Sequence, residues 1–388
     1  MAPLFDRADF PAVQELTYLN TASVAPSPRA VIQTVLEFYE DVAAHGTANF
    51  DDEAETRVYD GLREAAARLF NAHPDEVAAF ASATEALSSL AWAVAPRSGQ
   101  NVVSADIEFP SVVYPWLRVC RTTGGEVRLA AGRDGWVDPE EITTLIDNRT
   151  AVVCLSHVQY GIGQRLDMLR IARAAHRAGA LFLVDATQSA GAVPIDVRAW
   201  EVDALVTSSY KWLCAPFGAA ALYLRAELLD RLEPGLVGWR STEEPFHMRA
   251  DRIDWARAAR RFEFSTLAYG SALGMAAAIE YLLAIGIEAI WKHNLSLADR
   301  LLEGLDSLGG QILSPRSPDD RTSIVTVQFP GRDSVAVAGR LNERGIVVSP
   351  RMGGVRLSPH LFNHEEDIDR ALEDLETILS REEAAGAG

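Results

Sequence analysis

The sequence predicts an α/β fold, with a large domain on a mainly parallel sheet and a smaller α/β domain at the C-terminal end. Short runs that are apolar throughout recur along the middle of the chain, which is typical of strands buried on both faces. Amphipathic segments of helical periodicity alternate with them, and this βαβ rhythm implies a parallel sheet covered by helices. At 388 residues the chain is long enough for two domains.

The predicted strands of the large sheet follow one another from residue 101 to residue 225. Their sequences are "NVVSADIE", "AVVCLSHV", "GALFLVDA", "VDALVTSSY" and "AAALYLR". Between the second and third lies the helical pattern "MLRIARAAHRAG", whose final glycine suits a helix C-cap. A long helical pattern over 269–309 is followed by shorter α/β segments and a last helix from about residue 364. We therefore place the large domain at 25–265 and the smaller domain at 1–24 plus 266–388.

Composition limits the classes of partner. The net charge of −18 argues against nucleic acid or an anionic membrane as the main partner. Three widely spaced cysteines without a CxxC motif suggest buried thiols in a reducing compartment. The start "MAPLFDRADFPAV" lacks the apolar core of a signal peptide, and no run of 18 apolar residues occurs. These observations predict a soluble cytoplasmic protein without a metal site.

One lysine stands in unusual surroundings, in the stretch "VTSSYKWLCAPFG" (206–218). Lys211 follows an apolar strand-like run, lies between Tyr210 and Trp212, and has no acidic residue after it until Glu227. Burial disfavours the ammonium form of a lysine, and a neutral amine is a nucleophile towards aldehydes. A lysine that extends into solvent from a strand end is the alternative that this stretch alone leaves open.

An acidic residue closes the preceding predicted strand. Asp185 ends "GALFLVD", 26 residues before Lys211, and the carboxyl ends of parallel strands meet at one crevice. A lysine and an acid there suit an aldehyde cofactor with a basic ring nitrogen, such as pyridoxal phosphate. The segment "SATEALSSLAWAV" (82–94) offers a helix N-terminus at Thr84 for the phosphate. An ion-paired or capping Asp185 and an ordinary capped helix remain the alternatives.

Other motif classes are weaker. "GIGQRL" (161–166) lacks the third glycine of a dinucleotide-binding loop. The sequence has no Walker motif, no GxSxG elbow and no HExxH pair. An NAD-dependent oxidoreductase and a non-catalytic binding protein are the alternatives outside pyridoxal phosphate chemistry.

Several motifs together resemble a known family. They are "ATEAL", "IEFPS", "SHVQYGIG", "LVDATQSAGAVPIDV", "SSYK", "FEFST" and "GGVRLSPHLFNHEEDID". In this order and spacing they resemble the class V aminotransferase superfamily of fold-type I pyridoxal phosphate enzymes. That superfamily includes cysteine desulfurases, selenocysteine lyases, kynureninases and isopenicillin-N epimerase-like proteins. The resemblance covers nearly the whole chain and implies a sheet of the seven-stranded type.

The resemblance also implies roles for individual residues. Lys211 corresponds to the Schiff-base lysine, Asp185 to the partner of the pyridinium nitrogen, and Arg356 to the arginine that binds the substrate α-carboxylate. Thr266 corresponds to a phosphate contact from a neighbouring subunit, which implies a homodimer with active sites at the interface. The remaining cofactor-binding residues implied are Ala83, Thr84, Phe109, Tyr160, Gln188, Ser208 and Tyr210. Among these, Phe109 would stack on the ring and Gln188 would contact the ring oxygen.

The departures from the family bear on the reaction. Desulfurases carry a nucleophilic cysteine on a loop shortly before the arginine, but "SPRMGGV" before Arg356 has none. Phe109 stands where desulfurases have a histidine, and Tyr160 where they have an asparagine. We therefore predict a lyase that cleaves a carbon–sulfur bond of a cysteine-derived amino acid by β-elimination, with transamination or epimerisation as alternatives. Residues 43–50 and 237–248, including Trp239, Arg240 and His247, are predicted to select the substrate side chain.

Overall fold

The computed structural model describes residues 6–386, and its centre is a seven-stranded sheet. After a short first strand, β1 (Thr17–Tyr18), come the strands of this sheet: β2 (Val77–Phe80), β3 (Asn101–Ala105), β4 (Glu126–Ala130), β5 (Thr150–Ser156), β6 (Leu181–Asp185), β7 (Ala204–Ser208) and β8 (Ala220–Leu224). Their order across the sheet is β2-β8-β7-β6-β5-β3-β4. Strand β8 runs antiparallel to both of its neighbours, and the other pairs are parallel. The predicted mainly parallel sheet is confirmed.

Both faces of this sheet are buried, which explains why its strands are apolar throughout. In β5, Val153 and Leu155 pack into one core, whereas Val152 and Cys154 pack into the core on the opposite face. The first core is covered by α2 (Asp52–Phe70), α6 (Met168–Arg177) and α7 (Tyr269–Ile285), and the second by α3 (Ala83–Val94) and α4 (Pro110–Thr123). Helix α1 (Arg29–His45) packs against α7, and α5 (Pro139–Thr144) lies near α6.

A second layer is built from both ends of the described chain. Strands β9 (Gln311–Ile312), β10 (Val325–Gln328), β12 (Ser349–Arg351) and β13 (Gly354–Leu357) form an antiparallel sheet in the order β12-β13-β10-β9. Helices α8 (Ile287–Ser307) and α9 (Ser334–Glu343) pack on it, and α10 (Glu365–Gly386) packs against these two helices. Strand β1 pairs in parallel with β11 (Ile346–Val347). The segment around β1 is therefore attached to the C-terminal layer.

The packing of α7 bears on the predicted domain boundary. Met275 and Ile279 of α7 lie in the same core as the large sheet, whereas α8 from Leu297 onward packs in the core of the second layer. The division at residue 265 stays a prediction. Because Ile287 and Ile290 of α8 also lie in the core of the large sheet, the change from one core to the other falls within α8, between Ile290 and Leu297.

Helices α7 and α8 were considered as candidates for a membrane-spanning segment. No single helix within residues 6–386 has the length and apolar composition of a membrane span. The two helices together meet that criterion, but they are bent by 78° relative to each other at the break between them.

Candidate active site

A pocket forms where strand ends of the large sheet meet the N-termini of two helices. It lies at the carboxyl ends of β5, β6 and β7 and at the starts of α3 and α4. Nine of the predicted site residues line it: Ala83, Thr84, Phe109, Tyr160, Asp185, Gln188, Ser208, Tyr210 and Lys211. Three further residues, Ser111, Ser156 and Thr187, complete the lining. The strand-end residues therefore converge on one crevice, as expected from the parallel topology.

The turn that carries Lys211 is held from two sides. Within it, the Cys214 amide donates a hydrogen bond to the Lys211 carbonyl at 2.8 Å. On one side lies Gly191, at φ +95°, where an added Cβ would stand 2.4 Å from the Trp212 carbonyl oxygen. On the other side, His360 Nε2 donates to that same oxygen at 2.9 Å. Only glycine permits so close an approach at position 191. The lysine turn is therefore packed between a loop of the large domain and the C-terminal layer.

Lys211 is buried and its charge is destabilised. Its side chain is 8% exposed, and Nζ lies 5.4 Å from the centre of the Phe109 ring. Burial lowers the pKa of Lys211 to about 8; Asp185 opposes this shift, and the positive charges of Arg356 and Arg351 add to it. A substantial fraction of the amine is therefore neutral near pH 8, as a nucleophile or base requires.

Asp185 ends β6 beside this amine. One carboxylate oxygen, Oδ1, accepts a hydrogen bond from the Thr187 amide at 2.8 Å. Burial raises the pKa of Asp185, against the effects of the Thr187 hydrogen bond and of Lys211. A buried carboxylate gains most from a cationic partner, and a protonated pyridine nitrogen is such a partner.

The start of α3 supplies the donors that suit a phosphate. Ser82 Oγ caps the helix by accepting from the Glu85 amide at 3.1 Å. The Ala83 amide has only a long contact, at 3.4 Å, to Ser208 Oγ. Thr84 Oγ1 donates to Ser111 Oγ at 2.8 Å. First-turn amides and neutral hydroxyls at a helix N-terminus favour an anion by hydrogen bonding and by the helix dipole.

The rest of the pocket fits the ring of pyridoxal phosphate. Gln188 Oε1 accepts from the Trp212 indole at 2.7 Å, and Nε2 donates to the Ala22 carbonyl at 3.0 Å. One amide hydrogen of Gln188 is thus left for a ring oxygen. Phe109 is 43% exposed and its ring centre lies 5.4 Å from the lysine amine, so an aromatic ring borders the place of the amine. The donors, the acid, the amine and the aromatic face together match the parts of this cofactor.

Arg356 does not line the pocket but lies directly behind it. Nη1 donates to the Tyr160 carbonyl and Nη2 to Ser23 Oγ, both at 2.7 Å. Within residues 6–386, Nε has no hydrogen-bond partner, and the residue is 1% exposed. Burial, together with the charge of Arg351, lowers the pKa of Arg356 to about 9. A buried guanidinium whose hydrogen bonds go to neutral acceptors is suited to an added carboxylate.

Four residues considered from sequence lie apart from this pocket within the single chain. Thr266 is exposed just before α7, so its predicted phosphate contact stays a prediction about a neighbouring subunit. Trp239, Arg240 and His247 do not line the pocket either. Arg240 is instead buried, with Nη1 2.5 Å from a carboxylate oxygen of Glu55 and its guanidinium 3.7 Å from the centre of the Tyr59 ring. Within one chain its role is structural, because its charge already has a partner.

The three cysteines are all buried outside the pocket lining. Cys120 is 5% exposed on α4, and Cys154 and Cys214 are fully buried. Burial raises the pKa of each thiol, which disfavours the reactive thiolate. No three His, Cys, Asp or Glu side chains among the described residues are grouped to hold a metal.

A buried carboxylate beneath the pocket was missed in the sequence. Glu108 accepts hydrogen bonds from the Ser156 amide at 2.9 Å and from Gln159 Nε2 at 2.6 Å. Burial raises the pKa of Glu108 to about 7, against these hydrogen bonds. Its partner Ser156 ends β5 just as Asp185 ends β6, so the position at a strand end would have identified Ser156 as a site residue. Glu108 directly precedes Phe109, the predicted stacking residue, and its carboxylate is bonded to Ser156 of the pocket lining.

Comparisons with known proteins identify relatives that match almost the whole chain. The chain is 32% identical over 94% of its length to the uncharacterized aminotransferase YcbU of Bacillus subtilis, covering 95% of that protein. It is also 32% identical to a probable cysteine desulfurase of Methanothermobacter thermautotrophicus, with 96% and 97% of the two chains covered. The apo structure of a cysteine desulfurase from Thermococcus onnurineus superimposes with a TM-score of 0.88 at 27% identity, covering 96% of this chain and 97% of that one.

The family assignment rests on most of the chain. The family profile described as aminotransferase class-V matches residues 17–370, a range that contains every predicted site residue. The pocket on the seven-stranded sheet supplies the lysine, the acid and the phosphate donors that pyridoxal phosphate requires. The chain therefore belongs to the class V aminotransferase family and is a pyridoxal phosphate-dependent enzyme.

Proposed function

We propose that this enzyme is a carbon–sulfur lyase that acts on a cysteine-derived amino acid by β-elimination. The observation that carries the proposal is a pocket with a buried lysine amine, backed by a buried arginine, and lined by none of the three cysteines. When bound, pyridoxal phosphate withdraws electrons from the substrate Cα, so that a proton at Cα becomes acidic and a group on Cβ can leave. This reaction needs a base and a leaving group but no protein thiol.

Lys211 is the base in this proposal. Its amine is the basic nitrogen of the lining, and its lowered pKa keeps part of it neutral at physiological pH. Asp185 holds a positive charge on the ring nitrogen, because a carboxylate within a few ångströms favours the charged form. Phe109 offers an aromatic ring for stacking on the cofactor and has no group that can move a proton.

Arg356 orients the substrate through its α-carboxylate. Its guanidinium is preorganised by the bonds to Tyr160 and Ser23 and has no carboxylate partner among the described residues. Because only 1% of the residue is exposed, a substrate carboxylate reaches it only after a neighbouring side chain shifts. Tyr160 lines the pocket and its backbone carbonyl accepts a hydrogen bond from Arg356, so we expect its side chain to make that shift.

The net reaction balances without an oxidant. The Cα–H bond breaks and the proton passes to Lys211 Nζ, while the Cβ–S bond breaks and its electron pair leaves with sulfur. Addition of one water then gives pyruvate, ammonium and a thiol. A persulfide mechanism would instead need a protein thiolate at the substrate sulfur, and each thiol here is buried with a raised pKa.

Transamination is the second candidate. It begins with the same proton transfer to Lys211, and the relative YcbU is named an aminotransferase. The two reactions differ in their requirements, since transamination consumes a keto acid and releases no thiol.

Product analysis tests the proposal. The holoenzyme is incubated with an amino-acid panel that includes S-substituted cysteines, with and without a keto-acid acceptor, and products are identified by mass spectrometry. We expect pyruvate, ammonium and a free thiol from a cysteine conjugate without the acceptor. Products that require the acceptor would establish transamination, and inversion at Cα without bond loss would establish epimerisation.

The chain offers its own control for the lysine. Lys211 and Lys292 are its only lysines. Borohydride reduction should fix the cofactor to Lys211, and Lys211→Ala should lose activity by about 10³-fold or more, whereas Lys292→Ala should keep it. A reduced adduct on Lys292 would overturn the assignment. The triple variant Cys120→Ser, Cys154→Ala, Cys214→Ala should keep elimination, and a protein persulfide that depends on one of these thiols would contradict it.

We also infer that the enzyme works as a homodimer. Thr266, the predicted phosphate contact, is exposed and lies outside the pocket of its own chain. Several large apolar side chains on α1 and near the lysine turn are exposed as well, among them Leu36, Tyr39 and Phe217. Mixing Lys211→Ala chains with Thr266→Ala chains should restore part of the activity in hybrid dimers. An active, cofactor-loaded monomer would contradict shared sites.

A further inference from the structure

The segment before Arg356 forms a short, fixed hairpin. Strands β12 and β13 are joined by only two residues, Met352 and Gly353, with φ of +52° and +72°, which is the two-residue turn that suits a twisted hairpin. Gly353 O accepts from Ser334 Oγ at 2.6 Å. The Met352 side chain packs against Gly161, where an added Cβ would be 2.8 Å from Met352 Cγ. The tip is therefore anchored beside the loop that follows Tyr160.

The pairing within this hairpin puts two arginines on one face. Ser349 pairs with Arg356, and Arg351 pairs with Gly354. Side chains of directly opposed residues share a face, and the intervening Val355 is fully buried in the core on the other face. Arg351 is thus a diagonal neighbour of Arg356, at roughly 7–8 Å between backbone positions. Gly354 has no side chain to separate them.

Arg351 has no anionic partner among residues 6–386. It is exposed, and its one side-chain hydrogen bond runs from Nη1 to the adjacent Pro350 carbonyl at 2.8 Å. Within residues 6–386 it makes no ion pair. Its charge nevertheless acts on the pocket, because it lowers the pKa of both Lys211 and Arg356 in addition to the effect of burial.

We propose that Arg351 binds a second anionic group, so that the preferred substrate is an amino acid whose side chain carries a negative charge. This rests on the proposed function for its reaction type. Arg356 is buried and holds the α-carboxylate, whereas the exposed Arg351 on the same hairpin face meets the far end of the side chain. For a carbon–sulfur lyase, the leaving thiol then carries a carboxylate or a sulfonate.

A matched pair of substrates tests this inference. S-carboxymethyl-L-cysteine and S-carbamoylmethyl-L-cysteine differ only in a carboxylate and a neutral amide. We expect the holoenzyme to prefer the acid in kcat/KM by about tenfold or more, the scale of one charge-assisted hydrogen bond. Arg351→Gln should remove that preference, and Arg351→Lys should restore part of it. Arg149→Gln, which changes an exposed arginine paired with Asp147, is the control.

The outcomes separate a second anion site from the other roles of Arg351. An equal loss on both substrates in Arg351→Gln would mean that it contacts the shared α-carboxylate or supports the fold, and would overturn the inference. A wild-type enzyme indifferent to the pair would overturn it as well.

A binding measurement separates this inference from the reaction type. L-glutamate and L-glutamine are titrated against the visible spectrum of the bound cofactor. Tighter binding of glutamate that disappears in Arg351→Gln would uphold the anion site even if neither cysteine conjugate is cleaved. Equal binding of the two would refute the anion site even if the enzyme proves to be a lyase.

Discussion

Two buried arginines, Arg63 and Arg356, differ in the hydrogen-bond partners of their guanidinium groups. Arg63 on α2 donates from Nη1 to both carboxylate oxygens of Glu263 at 2.8 Å, and Nη2 pairs with Asp60. Burial alone would lower the pKa of Arg63, but these two carboxylates outweigh burial and raise it. Arg356 is more deeply buried and has only neutral acceptors, so its pKa is lowered. Arg63 is thus part of an internal ion pair, whereas Arg356 has no carboxylate partner among the described residues.

The contrast gives a physical criterion for the site. A buried charge is tolerated in a core when its partners are inside the same fold. A buried charge without a partner of opposite charge lowers the stability of the fold. Such a charge is expected at sites where a ligand supplies the partner. By this criterion we interpret the Arg63 cluster as structural, even though a surface cavity opens beside it, and we predict that the hairpin that carries Arg356 is functional.

The largest expected effect is on stability, from loss of Arg63. Arg63→Met leaves Glu263, which is 3% exposed, without its cation. Removing one partner of a buried pair costs about 3–5 kcal/mol. Urea unfolding followed by circular dichroism should show this loss. Arg57→Met is the control on the same helix, because it breaks only an exposed pair with Glu53 and should cost less than about 1 kcal/mol. Equal losses in both variants would refute the distinction.

Arg356→Met should behave in the opposite way. It removes a charge with no carboxylate partner, so the free energy of unfolding should change by less than about 1 kcal/mol or increase. Substrate binding should weaken, with KM raised about 10-fold or more, because a charge-assisted pair to the α-carboxylate is lost. Steady-state kinetics and urea unfolding on the same preparation measure both quantities. A destabilisation as large as that of Arg63→Met, with KM unchanged, would make Arg356 structural.

The cofactor end of the site could be predicted from sequence, for a topological reason. Asp185 ends β6 and Lys211 follows β7, and parallel strands deliver their carboxyl ends to one edge whatever the loops between them do. Thr84 was predicted for a different reason, because it lies at the start of α3 and a helix N-terminus favours a phosphate.

The substrate end depends on contacts that no local pattern encodes. Arg356 meets the carbonyl of Tyr160, 196 residues away, and the hydroxyl of Ser23, 333 residues away. The sequence shows an arginine in a strand but not its burial or the absence of a carboxylate partner. Helix α7 presents a similar difficulty. It has apolar residues on several sides, so its periodicity does not indicate which core it joins.

Two buried histidines differ from both arginines, because a group that can lose its charge needs no anionic partner. Burial lowers the pKa of His360 and of His157 to about 3. Both are neutral in the folded state, and His360 uses Nε2–H to bind the Trp212 carbonyl. Unfolded histidine has a pKa of about 6.5, so below that pH the unfolded state binds protons that the folded state does not. Stability contributed by each histidine is therefore lost as pH falls from 6.5 towards 3.

The expected effect is about 1 kcal/mol per histidine between pH 6.5 and 5.5. His360→Gln keeps a donor for the Trp212 carbonyl but cannot titrate. Between pH 6.5 and 5.5, the free energy of unfolding of this variant should therefore decrease by about 1 kcal/mol less than that of the wild type. Urea unfolding at the two pH values measures the difference, and the exposed His247→Gln is the control. The same slope in wild type and His360→Gln would mean that His360 takes up its proton in the folded state. It would then be a further buried cation, and the partner that stabilises it would have to be sought beside the lysine turn.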